Sequence, residues 1–360
     1  MANSSTSNIA LIVGVTGIAG TALAETLISE NWTVYGISRN LPRNPKVIHL
    51  KIDLNNSLAI HAALTGLKPT HVYFTTWIPK GNEADNIVAN RKLVKDIFSG
   101  LEKANTLQHS ALVTGLKHYM GPFESYGTKE IRDTPFHEDE ERVSSPNFYY
   151  AQEDELWLAA DRLNFTWSVH RSHTIIGHTT GNAMNMALTI AVAASLAKKS
   201  GSALSFPGNE VQWNGITDMT DSDLLANHMF WASVTDSAKN TPFNVSNGDV
   251  FRWRWMWPRL GEALKVDFVG PSDELALFER QMSPLESLWV DISKEYGLQN
   301  SEISNLASWW HTDGDLNRPI ECFSDMNNSR IRGFLECRNT LDSFLKVFRG
   351  YQLDKIIPKY

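Results

Sequence analysis

The chain has 360 residues, of which 42% are hydrophobic and 20% are charged. This balance excludes wholesale disorder, because a chain of this length and composition can bury a large apolar core. The formal net charge of -7 argues against a nucleic-acid partner, since phosphate binding needs clustered cations.

Short apolar runs rich in β-branched residues alternate with helix-compatible stretches over the first half of the chain. The six predicted strands cover residues 9–13, 33–37, 47–51, 71–75, 111–114 and 166–170. The predicted helices between them cover residues 18–30, 57–67, 84–105 and 147–162. This alternation predicts an α/β fold of Rossmann type, in which helices cover both faces of a doubly wound parallel sheet.

The pattern loosens beyond residue 171. We predict a helix over residues 184–198, a strand at 216–218 leading into a helix over 221–233, and a last sheet strand at 242–246. The remainder is mostly helical and rich in tryptophan. We therefore expect a Rossmann domain over residues 1–171 with a returning segment near 216–247. Residues 172–360 would mainly form a smaller, mostly helical C-terminal substrate domain.

A glycine motif of the form G-x-x-G-x-x-G begins at Gly14, directly after the first predicted strand. Gly14 can make the tight turn, Gly17 can let the backbone approach a pyrophosphate, and Gly20 can let the helix pack on the strand. We assign Gly14, Thr16, Gly17 and Ile18 to a dinucleotide, whose phosphates face the helix amides. The spacing is that of short-chain dehydrogenase/reductase relatives, and an ordinary glycine turn is the alternative.

The second predicted strand ends at Ser38 and Arg39, with no acidic side chain for a ribose 2′-hydroxyl. A guanidinium can bind a 2′-phosphate bidentately, so we predict NADP(H) as the cofactor, bound there by Ser38 and Arg39. The alternative is that Arg39 is a solvated surface charge. Asp53 and Leu54 end the third strand, where a side chain could touch the adenine, although Asp53 could instead cap a helix.

Short-chain dehydrogenases normally carry a Tyr-x-x-x-Lys pair on one helix face. The one match, Tyr351…Lys355, lies in the C-terminal tail, and we interpret it as chance. Lys117 follows the fifth strand directly, and Tyr150 stands at the start of the next predicted helix. Because chemistry in open α/β sheets occurs beyond the carboxyl ends of the strands, we hypothesise that Tyr150 and Lys117 form the pair. The alternative is a solvated lysine and a core aromatic.

Segments spread over nearly the whole chain resemble the progesterone 5β-reductase/iridoid synthase-like (PRISE) family, an atypical branch of extended short-chain dehydrogenases. The segments are residues 13–20, 72–77, 114–123, 147–154 and 170–177, with further matches at 205–208, 243–247 and 326–334. The resemblance implies that Lys117 of the Thr-Gly-x-Lys-His-Tyr motif and Tyr150, the second tyrosine of Asn-Phe-Tyr-Tyr, are catalytic. Asn40 departs from the family, which often has a second basic residue there.

The resemblance also implies the activity, which is NADPH-dependent reduction of the activated C=C bond of an enone or enal by 1,4-hydride addition. Tyr150 would donate to the carbonyl oxygen that gains negative charge, and Lys117 would orient the network. The cofactor contacts would include Thr76, Trp77, Thr114, Tyr150 and Ile175. Two alternatives stay open, a carbonyl reductase or alcohol dehydrogenase acting at C=O and a non-catalytic NADP-sensing protein.

Other features complete the expectation of a cytoplasmic enzyme with a small-molecule partner. Cys322 and Cys337 are too few for a disulfide framework, the 11 histidines show no metal spacing, and no apolar stretch is long enough to span a membrane. Trp253 and Trp257 share a helix face, which we interpret as docked in the C-terminal core rather than binding nucleic acid. A homodimer is left open.

Overall fold

The computed structural model describes residues 8–122, 132–272 and 274–360. Its strands are β1 Ile9–Val13, β2 Thr33–Ser38, β3 Ile48–Lys51, β4 His71–Phe74, β5 His109–Gly115, β6 Thr166–Ser172, β7 Ile175–Ile176, β8 Leu204–Ser205, β9 Thr220–Asp221, β10 Thr241–Val245 and β11 Phe268–Val269. Its α-helices are α1 Ile18–Ser29, α2 Ser57–Leu64, α3 Glu83–Gly100, α4 Lys117–Met120, α5 Phe148–Leu163, α6 Met186–Ser200, α7 Glu210–Asn214, α8 Ser222–Val234, α9 Trp253–Leu264, α10 Phe278–Met282, α11 Leu288–Tyr296, α12 Trp309–Leu316, α13 Asn327–Ile331 and α14 Thr340–Leu353.

Seven of the described strands form one sheet in the order β10-β6-β5-β4-β1-β2-β3, and every pair within it is parallel. Strands β1 and β4 are almost fully buried, as expected for parallel strands covered on both faces. From β1 the chain first adds β2 and β3 on one side and then adds β4, β5, β6 and β10 on the other, so the direction of strand addition reverses between β1 and β4. Ligands of open α/β sheets bind at the carboxyl ends of the strands beside such a reversal.

Helices cover both faces of this sheet. Helices α1 and α8 pack on one face, around Leu23, Leu27 and Met229. Helices α2, α3 and α5 pack on the other face, around Phe98 and neighbouring apolar side chains. The predicted Rossmann-type fold is therefore confirmed.

A second, mostly helical apolar core is built from the later part of the chain. Helix α6 lies at its centre, with α9, α10, α12 and α14 packed around it. Trp253 and Trp257 are buried on one side of α9, which confirms that this tryptophan-rich segment docks into the C-terminal core. Strand β10 lies in the main sheet, although the chain passes through α6 and α8 before reaching it.

Three elements differ from the sequence-based predictions. The strand predicted at residues 216–218 is wrong, because Thr217 makes only isolated bridges to Phe251 and Cys322, and the short strand is Thr220–Asp221. The predicted helix over 57–67 ends at Leu64, close to Gly66, whose φ is +84°. The predicted helix over 84–105 ends at Gly100.

No helix in the described ranges combines the length and the apolar content needed to cross a lipid bilayer.

Candidate active site

The turn after β1 has the geometry of an anion-binding loop. Gly14 has a φ of +96°, and a Cβ built on it would collide with the side chain of Thr76. A Cβ on Gly20 would collide with the Gly14 carbonyl oxygen, so only glycine lets α1 approach this turn so closely. Gly17 is the N-cap residue of α1, and as a glycine it has no side chain that could accept a hydrogen bond from the first amides of the helix. The amides of the first turn of α1, which begins at Ile18, therefore suit a pyrophosphate.

The proposed adenosine end lies at the carboxyl ends of β2 and β3. Arg39 is exposed and close enough to Asp53 to contribute to its electrostatics. Hydrogen bonds from Asn55 are the largest cause of the lowered pKa of Asp53, and the charge of Arg39 adds to them. The Ser38 hydroxyl donates to the Asn40 carbonyl oxygen at 2.7 Å, and Leu54 is half-buried.

The remaining predicted cofactor contacts lie along the same edge. Thr76 and Trp77 follow β4, Thr114 lies near the end of β5, and Ile175 lies in β7 just beyond β6. The buried Thr114 hydroxyl has no hydrogen-bond partner among the described residues, which suits a site completed by a ligand. Thr16 is half-buried, and its carbonyl oxygen accepts a hydrogen bond from the Thr179 hydroxyl.

Lys117 is the first residue of α4 and lies against the start of α5. Its ammonium is 2.5 Å from a carboxylate oxygen of Glu83 and 4.4 Å from the centre of the Phe148 ring. The Asn147 side chain donates to the Lys117 carbonyl oxygen at 2.7 Å. The Phe148 ring also stacks on Trp77, with a 4.8 Å separation between ring centroids. Lys117 is thus held in a partly buried corner and not in open solvent.

The Tyr150 hydroxyl has a different set of partners from Lys117. It donates to the His118 carbonyl oxygen at 2.5 Å and accepts from the Val143 amide at 3.0 Å. The Arg142 guanidinium lies over its ring at 4.6 Å. Burial raises the pKa of the Tyr150 phenol, which makes it a weaker acid than an exposed tyrosine.

Tyr149, which the sequence analysis did not single out, lies closer to the strand ends. A Cβ built on Gly115 would stand 3.4 Å from the Tyr149 hydroxyl oxygen and 2.9 Å from the Ser172 carbonyl oxygen. Gly115 and Ser172 pair at the ends of β5 and β6. The half-buried Tyr149 phenol therefore faces the edge of the sheet where ligand chemistry is expected.

A buried polar network lies directly beyond β6, and the sequence analysis did not predict it. His173 Nδ1 is 2.7 Å from Asp218, and His173 Nε2 is 2.6 Å from the Arg318 guanidinium. A guanidinium only donates, so Nε2 accepts, and the proton on Nδ1 is donated to Asp218. Burial lowers the pKa of His173, which keeps this tautomer neutral. Arg318 continues the network to Asp315 at 2.5 Å.

A cavity of about 370 Å³ lies beside the mostly helical core, and none of the predicted site residues lines it. Its walls come from residues 181–183 and 303–310, with Glu279 and Glu286. Glu286 accepts from the Trp309 indole at 2.6 Å, so one of its carboxylate oxygens already has a protein partner. We assign this cavity no role in the reaction. In the described ranges, no group of three or more His, Cys, Asp or Glu side chains is arranged to hold a metal ion.

Residues 53–358 match a family model described as the PRISE-like Rossmann-fold domain. The (S)-8-oxocitronellyl enol synthase ISY1 of Nepeta racemosa is 38% identical to this chain, over 98% of the chain and 93% of the relative. The 3-oxo-Delta(4,5)-steroid 5-beta-reductase of Arabidopsis thaliana is 35% identical over the same shares.

Solved structures with a similar fold are more distant in sequence. A UDP-glucose 4-epimerase of Thermotoga maritima, solved with UDP-glucose, aligns with a TM-score of 0.67 at 13% identity, over 97% of this chain and 99% of that chain. A UDP-glucose 4-epimerase of Thermus thermophilus, solved with NAD, aligns with a TM-score of 0.66 at 13% identity, over 95% and 99%. At such identities the likeness concerns the fold alone.

Proposed function

The chain belongs to the PRISE-like Rossmann-fold domain family, and on that premise we propose that it is an NADPH-dependent oxidoreductase that reduces the activated C=C bond of enones or enals. The relatives' names include an enol synthase and a reductase of a steroid with a 3-oxo group and a neighbouring double bond. One observation carries the proposal to this chain: the hydroxyl of Tyr149, in the first turn of α5, lies beside Gly115, the last residue of β5, and Lys117 begins α4 two residues further along the chain.

The cofactor site of the proposal runs along the carboxyl edge of the sheet. The amides at the start of α1 would hold the pyrophosphate, and the orphaned Thr114 hydroxyl suits a ligand at the end of β5. Arg39 would bind the 2′-phosphate, with Ser38, Asp53 and Leu54 near the adenosine. Thr76, Trp77 and Ile175 would complete the contacts on the nicotinamide side. Bound NADPH supplies the hydride for the β-carbon of the substrate.

The chain itself would stabilise the charge that develops on the carbonyl oxygen. A phenol preorganised at this position can donate a hydrogen bond to that oxygen, or transfer its proton to it. The contacts favour Tyr149 over Tyr150 for this role, because the Tyr149 hydroxyl lies beside Gly115 at the end of β5, whereas the Tyr150 hydroxyl lies against the His118 carbonyl oxygen. The Lys117 ammonium would add positive charge beside the phenol.

The organisation that accompanies this proposal is a Rossmann domain over residues 1–171 with a returning segment near 216–247, and a substrate domain over residues 172–360. The proposed partner is a small-molecule enone, and the proposed compartment is the cytoplasm. No metal ion is needed for this chemistry. A homodimer stays open.

The test is NADPH oxidation by the full chain with enones and enals of graded size, followed by identification of each product. We expect the saturated carbonyl compound. An allylic alcohol would instead identify a carbonyl reductase. Binding of NADPH without turnover of any enone or carbonyl compound would identify a cofactor-sensing protein.

A further inference from the structure

Glu83 connects the two segments that carry the proposed reactive groups. It is the first residue of α3, and one of its carboxylate oxygens lies 2.5 Å from the Lys117 ammonium. Its other carboxylate oxygen accepts a hydrogen bond from the Phe148 amide at 2.8 Å. One side chain from α3 therefore contacts both the start of α4 and the start of α5.

Of the two donors that Glu83 binds, one carries a full positive charge and the other a partial positive charge. Lys117 brings a full ammonium charge, and the first amides of α5 form the positive end of a 16-residue helix. The Lys117 and Glu83 side chains are only 20% and 16% exposed, so water screens this pair less than a surface ion pair. A carboxylate accepting such charge-assisted hydrogen bonds fixes both donors more firmly than a neutral acceptor would.

The contact with the Phe148 amide lies one residue from the phenol, because Tyr149 directly follows Phe148. Asn147 supplies a second, uncharged link, since its side chain accepts from the Tyr149 amide at 3.0 Å and donates to the Lys117 carbonyl oxygen. Asn147 thus joins the backbones of the two segments, whereas Glu83 holds the lysine side chain itself. Removing the charge of Glu83 would take the carboxylate away from the ammonium and leave the backbone link in place.

We infer that Glu83 is a positioning residue for the proposed reduction, holding the Lys117 ammonium and the start of α5 in one arrangement beside Tyr149. The inference rests on the proposed function. Glu83 acts through Lys117 and Tyr149 and is not assigned a contact with the substrate.

The test compares Glu83→Gln with Asp85→Asn. Glutamine keeps an oxygen for the Phe148 amide but lacks the charge, so α5 retains its acceptor. Asp85 is an exposed carboxylate in the same first turn of α3, where it pairs with Asn82, and its variant removes one charge as the control. Two quantities are measured at one fixed pH: the rate at which an amine-reactive anhydride labels Lys117, read by peptide mass spectrometry, and kcat and KM with an enone.

We expect Glu83→Gln to raise the labelling rate of Lys117 about tenfold, because a carboxylate in contact with an amine favours its charged, unreactive form and shields it from the reagent. We expect kcat to fall about tenfold while NADPH affinity and KM stay near wild type, since binding groups elsewhere are untouched. Asp85→Asn should match wild type in every measurement.

Two results would overturn the inference. One is a Glu83→Gln variant that matches Asp85→Asn in labelling and in kcat. The other is lost turnover with unchanged labelling, because the carboxylate would then not act on the amine. Labelling needs no turnover, so failure of the wild-type chain to reduce any enone would count against the proposed function separately.

Discussion

The two adjacent tyrosines at the start of α5 lie in different surroundings. Neighbouring residues on a helix point about 100° apart, so Tyr149 and Tyr150 face different surroundings. Tyr150 is 9% exposed and hydrogen-bonded to local backbone, whereas the Tyr149 hydroxyl lies beside Gly115. The sequence predicts a catalytic phenol in the Asn-Phe-Tyr-Tyr segment, but a sequence pattern does not show which of two neighbouring side chains faces the strand ends.

Replacing each tyrosine by phenylalanine separates the two roles. Tyr149→Phe should lower kcat by about 10²–10³ through loss of a preorganised donor, with NADPH affinity retained. Tyr150→Phe should keep most turnover and lose about 1–3 kcal/mol of folding stability, because the half-buried Val143 amide and the buried His118 carbonyl lose a partner. Steady-state kinetics and urea unfolding of both variants measure these effects. Lost turnover in Tyr150→Phe alone would return the catalytic role to Tyr150.

Arg39 tests the choice of cofactor. If its guanidinium binds the 2′-phosphate, Arg39→Ala should weaken NADPH binding by about 1.5–3 kcal/mol and change NADH binding far less. Arg43→Ala is the matched control, because Arg43 lies four positions away and pairs with Asp354 at 2.9 Å. Fluorescence titration with NADPH and with NADH gives the two dissociation constants for each variant, and their ratio measures the preference for NADPH. Equal losses for NADPH and NADH in Arg39→Ala would reject the 2′-phosphate contact.

At the scale of elements, a chain of polar side chains crosses the sheet from β5 through β6 to α8. His109 contacts Ser168 at 2.9 Å, Ser168 contacts His170 at 2.8 Å, and His170 contacts His228 at 2.9 Å. His228 continues to Ser329 at 2.9 Å. Where two ring nitrogens meet, one must donate and the other accept, so both histidines cannot be charged together.

This chain of histidines predicts that acid destabilises the fold. Burial lowers the pKa of His228 to about 3 and lowers the pKa values of His109 and His170 well below 6.5. The unfolded chain therefore binds more protons below pH 6.5, and each histidine removes about 1.4 kcal/mol of stability per pH unit as the pH falls. Urea unfolding at about pH 7 and about pH 5 measures the loss.

The control replaces the exposed His61, which takes no part in this chain of side chains, so His61→Gln should show the wild-type slope. Unfolding free energies that stay level between the two pH values would show that these histidines are not buried in the neutral form.

The elements themselves were largely predictable, because parallel strands and their helices carry strong local signals. All six strands predicted in the first half of the chain lie in the sheet, with ends shifted by a residue or two. The strand predicted at 216–218 failed because Thr217 makes only single bridges to distant residues, and no local pattern encodes a single bridge. Short strands such as β7 and β9 depend on their partners more than on their own residues.

At the scale of the whole molecule, long-range polar contacts join the later, mostly helical part of the chain to the sheet. His173, just past β6, binds Asp218 and Arg318, and Arg318 binds Asp315 of α12. The Tyr351 hydroxyl of α14 donates to the Gly177 carbonyl oxygen at 3.0 Å, directly after β7. These partners lie far apart along the chain, and each contact forms only when the sheet and the later helices are folded together. Sequence patterns therefore could not supply them.

The most direct test of the proposed activity uses NADPH carrying deuterium at the transferable position of the nicotinamide. The full chain is incubated with this cofactor and an enone, and the product is examined by NMR. We predict a saturated carbonyl compound with deuterium on the former β-carbon. Deuterium on a carbinol carbon, with the double bond intact, would contradict the account.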